Sequence, residues 1–132
     1  MQQLNSGLYG LLGVRLDEAS ADAVRLRMPV TAALHQPYGI VHGGVYCTLV
    51  ESAASIGGTL WIGDQGRVVG VANQTDFLAA VSDGELTAVG TPVHRGHSQQ
   101  LWKVDITDAD GRLVALGQVR LQNLRPGNGR AG

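Results

Sequence analysis

The chain has 132 residues, 44% of them hydrophobic and 5% aromatic, which suits one globular domain with a core of Val, Leu, Ile and Ala and excludes a disordered chain. A formal net charge of -1, with Lys103 the only lysine and the arginines scattered, excludes a general pull toward nucleic acid or membrane; a phosphate-bearing ligand must meet a local cluster. The single cysteine, Cys47, excludes an intramolecular disulfide, and Met1 to Asn5 has neither region of a signal peptide, so a cytoplasmic protein is expected.

The first expected element is a short amphipathic helix around Gln3 to Leu11. A strand follows near Val14 to Glu18, then the turn Ala19-Ser20-Ala21-Asp22 and a second strand, Ala23 to Met28, whose alternation turns Val24, Leu26 and Met28 inward; the two read as a hairpin. Pro29 to Gly39 is loop. His42 to Leu60 carries apolar residues at Val45, Leu49, Ile56 and Leu60, the spacing of a helix about 19 residues and roughly 28 Å long. Because that stretch also holds His42, Glu51 and several glycines, it reads as a buried helix and not a membrane span.

From Arg67 onward the pattern predicts strands over Val68 to Val81, Leu86 to Val93, Gln99 to Thr107 and Leu113 to Leu124. Turns fall at Ser82-Asp83-Gly84 and Ala109-Asp110-Gly111, where glycine accepts the positive φ of tight hairpins. The composition of Arg125 to Gly132 cannot pack, which leaves one domain over residues 1–124 and a disordered tail over 125–132. The architecture expected is α+β: an antiparallel sheet wrapped around one long helix.

Four features could carry chemistry. The helix start His42-Gly43-Gly44 offers no Ser, Thr or Asp cap, so its first-turn amides are either capped by water or free to act as an oxyanion hole. Glu51 lies mid-helix among Leu49, Val50, Ala53 and Ile56, with the small residues Cys47 and Ser55 one turn away and no basic residue at helical pairing distance. Such a carboxylate costs several kcal/mol unless it is paired or functional, so it is either bonded elsewhere in the fold or a catalytic base. In Gln36-Pro37-Tyr38-Gly39, Gln36 could donate to a substrate carbonyl and Tyr38 line an acyl pocket, or both could be turn structure. In Pro92-Val93-His94-Arg95-Gly96-His97-Ser98, donors gather around a glycine, as a phosphate contact or as a plain polar loop.

Together, Gln36-Pro37-Tyr38-Gly39-Ile40-Val41-His42-Gly43-Gly44 and Glu51-Ser52-Ala53-Ala54-Ser55 resemble the active-site block of hotdog-fold thioesterases. The resemblance is closest to the phenylacetate-pathway, 4-hydroxybenzoyl-CoA and 1,4-dihydroxy-2-naphthoyl-CoA thioesterase group, and it extends through Asn73 to Leu78, Pro92 to Trp102 and Gly117 to Leu124. It implies a hotdog fold and hydrolysis of an acyl-CoA, aromatic by preference, to free acid and CoA. It also implies a homodimer with shared active sites, assembled further as a dimer of dimers. Gln36, His42 and the Gly43 amide of one chain would polarise the thioester carbonyl; Glu51 of the partner chain would act as nucleophile or base, with Ser55 orienting water. Tyr38, Asn73 and Phe77 fall among substrate-binding positions, and His94, Arg95, Gly96, His97 and Ser98 where relatives contact the CoA nucleotide, although relatives often carry a basic residue in place of Ser98.

No cofactor is implied beyond the CoA of the substrate. The four histidines lack Cys or carboxylate partners at zinc spacing, and no Gly-x-Ser-x-Gly elbow is present. A non-catalytic acyl-CoA-binding module is the main rival reading, yet a mere binder gains nothing from an unpaired Glu51. A hotdog dehydratase or hydratase is the other, set against by Gln36-Pro37-Tyr38-Gly39 where those enzymes place a Phe-Pro-Gly type loop.

Overall fold

The computed structural model describes residues 2–127, and in it the first strands form one end of a curved antiparallel sheet. β1 (Gln2–Gln3) pairs with β2 (Arg15–Ala19), and α1 (Gly7–Leu12) bridges them. The helix expected from Gln3 therefore begins later: Gln3 is taken into the sheet, and Gly7 has a left-handed φ of 55° that stops a regular helix from running further back. β2 and β3 (Val24–Pro29) make the expected hairpin, whose turn is closed by the Ser20 hydroxyl accepting from the Asp22 and Ala23 amides. Val24, Leu26 and Met28 are all fully buried, as their alternation predicted.

α2 (Gly43–Ile62) is the long helix, and the sheet curves around it. It is long and apolar enough by composition to cross a membrane, but half of its most apolar stretch is buried inside this fold, as befits a core helix. Its buried face differs from the one expected. Leu60 is 47% exposed, Val45 and Ile56 are only partly buried, and the sheet packs on Leu49, Val50, Ala53, Ala54, Gly57 and Gly58. The small residues decide this, because they let β-strand side chains approach the helix axis: Trp102 lies against Gly57, and Leu121 and Gln100 lie against Gly58.

The remaining strands are β4 (Arg67–Phe77), β5 (Glu85–Arg95), β6 (Gln99–Thr107) and β7 (Leu113–Leu124), in the spatial order β1-β2-β3-β5-β6-β7-β4. The strand expected to reach Val81 stops at Phe77. Leu78 and Ala79 leave the ladder to donate to the Val114 carbonyl, and the Val81 carbonyl accepts from the Val41 amide, so this apolar stretch is held without being strand. Among the described residues β4 pairs only with β7 and forms an edge. Its register slips between Gly70, opposite Leu121, and Ala72, opposite Arg120, which leaves Val71 as the extra residue of a β-bulge.

A buried amide network ties the helix to the far end of the sheet. Trp102 Nε1 donates to Gln100 Oε1 at 2.8 Å, and Gln100 Nε2 donates to Asn123 Oδ1 at 2.9 Å and to the Gly58 carbonyl at 3.3 Å. Asn123 Nδ2 in turn donates to the carbonyls of Gly96 and His97, fixing the loop between β5 and β6. In the β6–β7 turn, the Arg112 and Asp110 amides and the Arg112 guanidinium bond Asp108, with the Arg112 amide the largest influence holding its carboxyl below the usual range. Of the tail expected to be disordered, Arg125 donates from Nε to the His97 carbonyl, and residues 128–132 lie outside the described residues.

Candidate active site

The start of α2 is capped, contrary to expectation. His42 takes the extended N-cap conformation and its Nδ1 accepts from the Gly44 amide at 2.8 Å, so the imidazole supplies the acceptor that Ser, Thr or Asp would otherwise give. In the neutral ring this leaves the proton on Nε2, as a donor at an exposed position. The Val45 amide is bonded to the His42 carbonyl, and of the first-turn amides only that of Gly43 makes no hydrogen bond among the described residues. A free donor at the positive end of a 20-residue helix is suited to an oxygen that gains charge.

Hydrogen bonds close the preceding loop on itself. The Gln36 amide donates to the Ile40 carbonyl, the Gly39 amide donates to the Gln36 carbonyl, and Gln36 Oε1 accepts from the Tyr38 amide. The Gln36 NH2 group keeps no partner among the described residues and is available as a donor. Gln36 and Gly43 line one cavity of about 350 Å³ together with Val41, Tyr46, Phe77 and Ala80. The Phe77 ring lies directly against Gly43, where a Cβ would meet it at 2.8 Å, and stacks at a tilt on Tyr46 with 5.9 Å between centroids. Burial pushes the Tyr46 phenol up. Tyr38, expected in an acyl pocket, is 90% exposed and lines no wall of either cavity described here.

Glu51 lies in a different cleft, of about 620 Å³, lined by Ser6, Leu8 and Tyr9 from the α1 region and by Cys47, Thr48, Ser52 and Asn73. The carboxylate is half-buried, and its Oε1 accepts from Asn73 Nδ2 at 3.1 Å. No cation pairs with it among the described residues, where no cluster of His, Cys, Asp or Glu suited to a metal ion occurs either. Ser55 is half-buried one turn further along; Ser52 reaches the cleft wall instead, but its hydroxyl donates to the Thr48 carbonyl at 2.6 Å.

Within one chain, then, Gln36, Gly43 and Phe77 come together beside His42, and Glu51 comes together with Asn73, but the two groups stay apart. Eight residues separate Gly43 from Glu51 on the same helix, about 12 Å along its axis. The segment His94 to Ser98 lines neither cavity. Arg95 is engaged within the chain: Nη1 donates to Asp22 Oδ1 at 3.0 Å and to the Ala21 carbonyl at 2.7 Å, and the guanidinium lies over the Trp61 ring. The Gly96 amide donates to the Gln99 carbonyl, and the side chains of His94, His97 and Ser98 are exposed.

Sequence reasoning missed two residues next to Glu51. Thr75 donates from Oγ1 to Asn73 Oδ1 at 2.7 Å, and Gly70 leaves the space in which the carboxylate lies, since a Cβ there would collide with Glu51 Oε2. A lone glycine inside a strand pattern was the available signal for the second, because it marks a bulge or a close approach.

The Thioesterase superfamily model matches residues 38–115, more than half of the chain. The 1,4-dihydroxy-2-naphthoyl-CoA hydrolase of Escherichia coli is 32% identical over 112 residues, covering 85% of this chain and 82% of that enzyme. The proofreading thioesterase EntH of Cronobacter turicensis is 36% identical over 123 residues, 90% of each. Among solved structures, AziG of S. sahachiroi superposes with a TM-score of 0.89 at 48% identity, covering 92% of this chain and 99% of that one. The long helix, the sheet wrapped around it and these relationships lead to one conclusion: the chain belongs to the hotdog-fold thioesterase superfamily, in the group that includes the 1,4-dihydroxy-2-naphthoyl-CoA hydrolases.

Proposed function

We propose that the protein is a cytoplasmic acyl-CoA thioesterase that hydrolyses the thioester of an aromatic acyl-CoA to free acid and CoA, in active sites shared by two subunits. The observation that carries this reading is the division of the site: a free amide and a free carboxamide donor in one cavity, and a carboxylate without a cation in another, about 12 Å away on the same helix. Neither half suffices alone, because thioester hydrolysis needs donors on the carbonyl oxygen and a carboxylate at its carbon. A two-fold pairing that lays one α2 against another would bring the Glu51 of each chain to the Gly43 of its partner.

The edge strand supports such a pairing. β4 is 11 residues long, its outer edge is unpaired among the described residues, and it carries exposed Val71 and Phe77, followed by exposed Leu78. A long unpaired edge that carries exposed apolar side chains among polar ones is suited to a covering partner. A dimer of such dimers is the further assembly proposed.

In the reaction, the Gly43 amide, the Gln36 NH2 and the His42 imidazole draw charge onto the carbonyl oxygen. Glu51 of the partner subunit attacks the carbonyl carbon, or takes a proton from the water that does, with Ser55 helping to orient that water. The C–S bond breaks and the CoA thiolate departs and is protonated; where Glu51 itself attacks, the mixed anhydride left on it is then cleaved by water to free acid and the restored carboxylate. The 1,4-dihydroxy-2-naphthoyl-CoA hydrolase relatives favour an aromatic acyl group. Tyr38 and Phe77 are proposed to contact it, and His94, Gly96, His97 and Ser98 the nucleotide, with Arg95 joining only if it exchanges Asp22 for phosphate.

Release of free thiol from a panel of aromatic and aliphatic acyl-CoAs tests the proposal. Turnover of at least one of them is expected, with Glu51→Ala lowering kcat by roughly 10³-fold or more. No turnover across the panel would overturn the activity, and an undiminished Glu51→Ala would overturn the role of the carboxylate.

A further inference from the structure

We propose that Asn73 is the positioning residue of Glu51: its carboxamide, turned toward the helix by the β4 bulge and oriented by Thr75, pins one carboxylate oxygen so that the other faces the reacting carbon or water. The inference deepens the thioesterase reading and rests on it.

The bulge comes first. Before it, Val68 packs on the core and Gly70 faces Glu51, so even-numbered residues point to the helix. Strict alternation would continue that face through Ala72 and Gln74 and send Asn73 to the outer surface. The extra residue Val71 reverses the parity, and Asn73, Thr75 and Phe77 then face α2, where they touch Glu51 and Cys47, Asn73, and Gly43 respectively.

Orientation follows. A carboxamide can present either its oxygen or its nitrogen to a carboxylate, and only the nitrogen attracts it. The Thr75 hydroxyl donates to Asn73 Oδ1 at 2.7 Å, which holds the oxygen end away and commits Nδ2 to the helix side. Both Nδ2 protons are then used, one on Glu51 Oε1 at 3.1 Å and one on the Cys47 carbonyl at 3.1 Å. With no proton left for a substrate, the amide serves the carboxylate instead of the acyl-CoA. Oε2, over Gly70, is the oxygen that remains free.

A glutamate side chain has three rotatable bonds, and a misplacement of about 1 Å can cost roughly 10²-fold in rate. Purified wild type, Asn73→Ala, Thr75→Val, Thr75→Ser, Glu51→Ala and the Asn73→Ala/Glu51→Ala pair are compared by steady-state thiol release, with thermal unfolding and oligomer size measured on each. Asn73→Ala is expected to lower kcat about 10- to 100-fold with KM within about 2-fold of wild type. Thr75→Val is expected to lose about 3- to 10-fold in kcat and Thr75→Ser to recover it, because only the hydroxyl is retained. On the Glu51→Ala background, Asn73→Ala should change the residual rate by less than about 2-fold, since it acts through that carboxylate. An unchanged kcat in folded Asn73→Ala, a change in KM alone, or a Thr75→Ser as slow as Thr75→Val would overturn the inference. If Asn73→Ala does not fold, the Thr75 pair decides. A severe Glu51→Ala beside a neutral Asn73→Ala would sink this inference only, whereas a neutral Glu51→Ala would sink the catalytic reading beneath it.

Discussion

Gly70 decides whether Glu51 can lie where it does. The carboxylate folds over the backbone of β4 at the one position without a Cβ, and a methyl there would collide with Oε2. Because Gly70 is exposed and its φ is not positive, alanine should be accepted by the backbone at the edge of the bulge. Gly70→Ala is therefore expected to retain the fold and its melting temperature while lowering kcat about 10- to 100-fold, through displacement of the carboxylate. Wild-type kcat in that variant would show that Glu51 reaches its working position by another path. His42 illustrates how far single residues can be read from sequence. The His-Gly-Gly start was legible as a helix start with an uncapped first-turn amide, but the His42 cap was not, since a histidine accepts a backbone proton only in one tautomer and one rotamer. Glu51 was legible as an oddity; its partner Asn73 was not, being 22 residues away on another element.

Elements were legible to the extent that one periodicity governed them. β3, and β7 from Ala115 onward, alternate and appear where expected, whereas β4 changes face at Val71, a shift that its pairing with β7 locates and that only the lone Gly70 hints at in its own residues. The apolar run from Leu78 to Val81 looked like more strand by composition, but backbone bonds to Val114 and Val41 hold it in another conformation, with Val81 buried and Leu78 exposed. For α2, the large apolar residues suggested one buried face and the small ones created another. Gly57 tests that account. In a helix interior, alanine is favoured over glycine by about 1 kcal/mol. At Gly57, however, the methyl would run into the fully buried Trp102 ring, whose Nε1 is held by Gln100, and overpacking of this kind costs about 1–3 kcal/mol. Gly57→Ala should thus lose up to about 2 kcal/mol and lower the melting temperature. A raised melting temperature would mean that Trp102 gives way freely and that close approach is not what the glycine provides.

At the scale of the molecule, one chain holds both halves of the proposed site and keeps them about 12 Å apart on one helix, so no side-chain rotation joins them. If two chains share the site across a two-fold axis, each dimer contains two sites, and each site takes Glu51 from one chain and Gln36 from the other. Co-expressing Glu51→Ala with Gln36→Ala subunits separates this from a site completed within one chain. Each variant alone should be nearly inactive, because the loss of one donor to a developing oxyanion already costs roughly 10²-fold. In a hybrid dimer, one site inherits both defects and the other inherits neither. With random exchange, half of the dimers are hybrids with one intact site each, and the mixture should recover about a quarter of the wild-type rate. Subunits in which the site closed within a single chain would stay at the sum of the two parents however they were mixed. Recovery that appears on co-expression and is lost on dissociation to monomers would place the reacting carbonyl between two copies of α2.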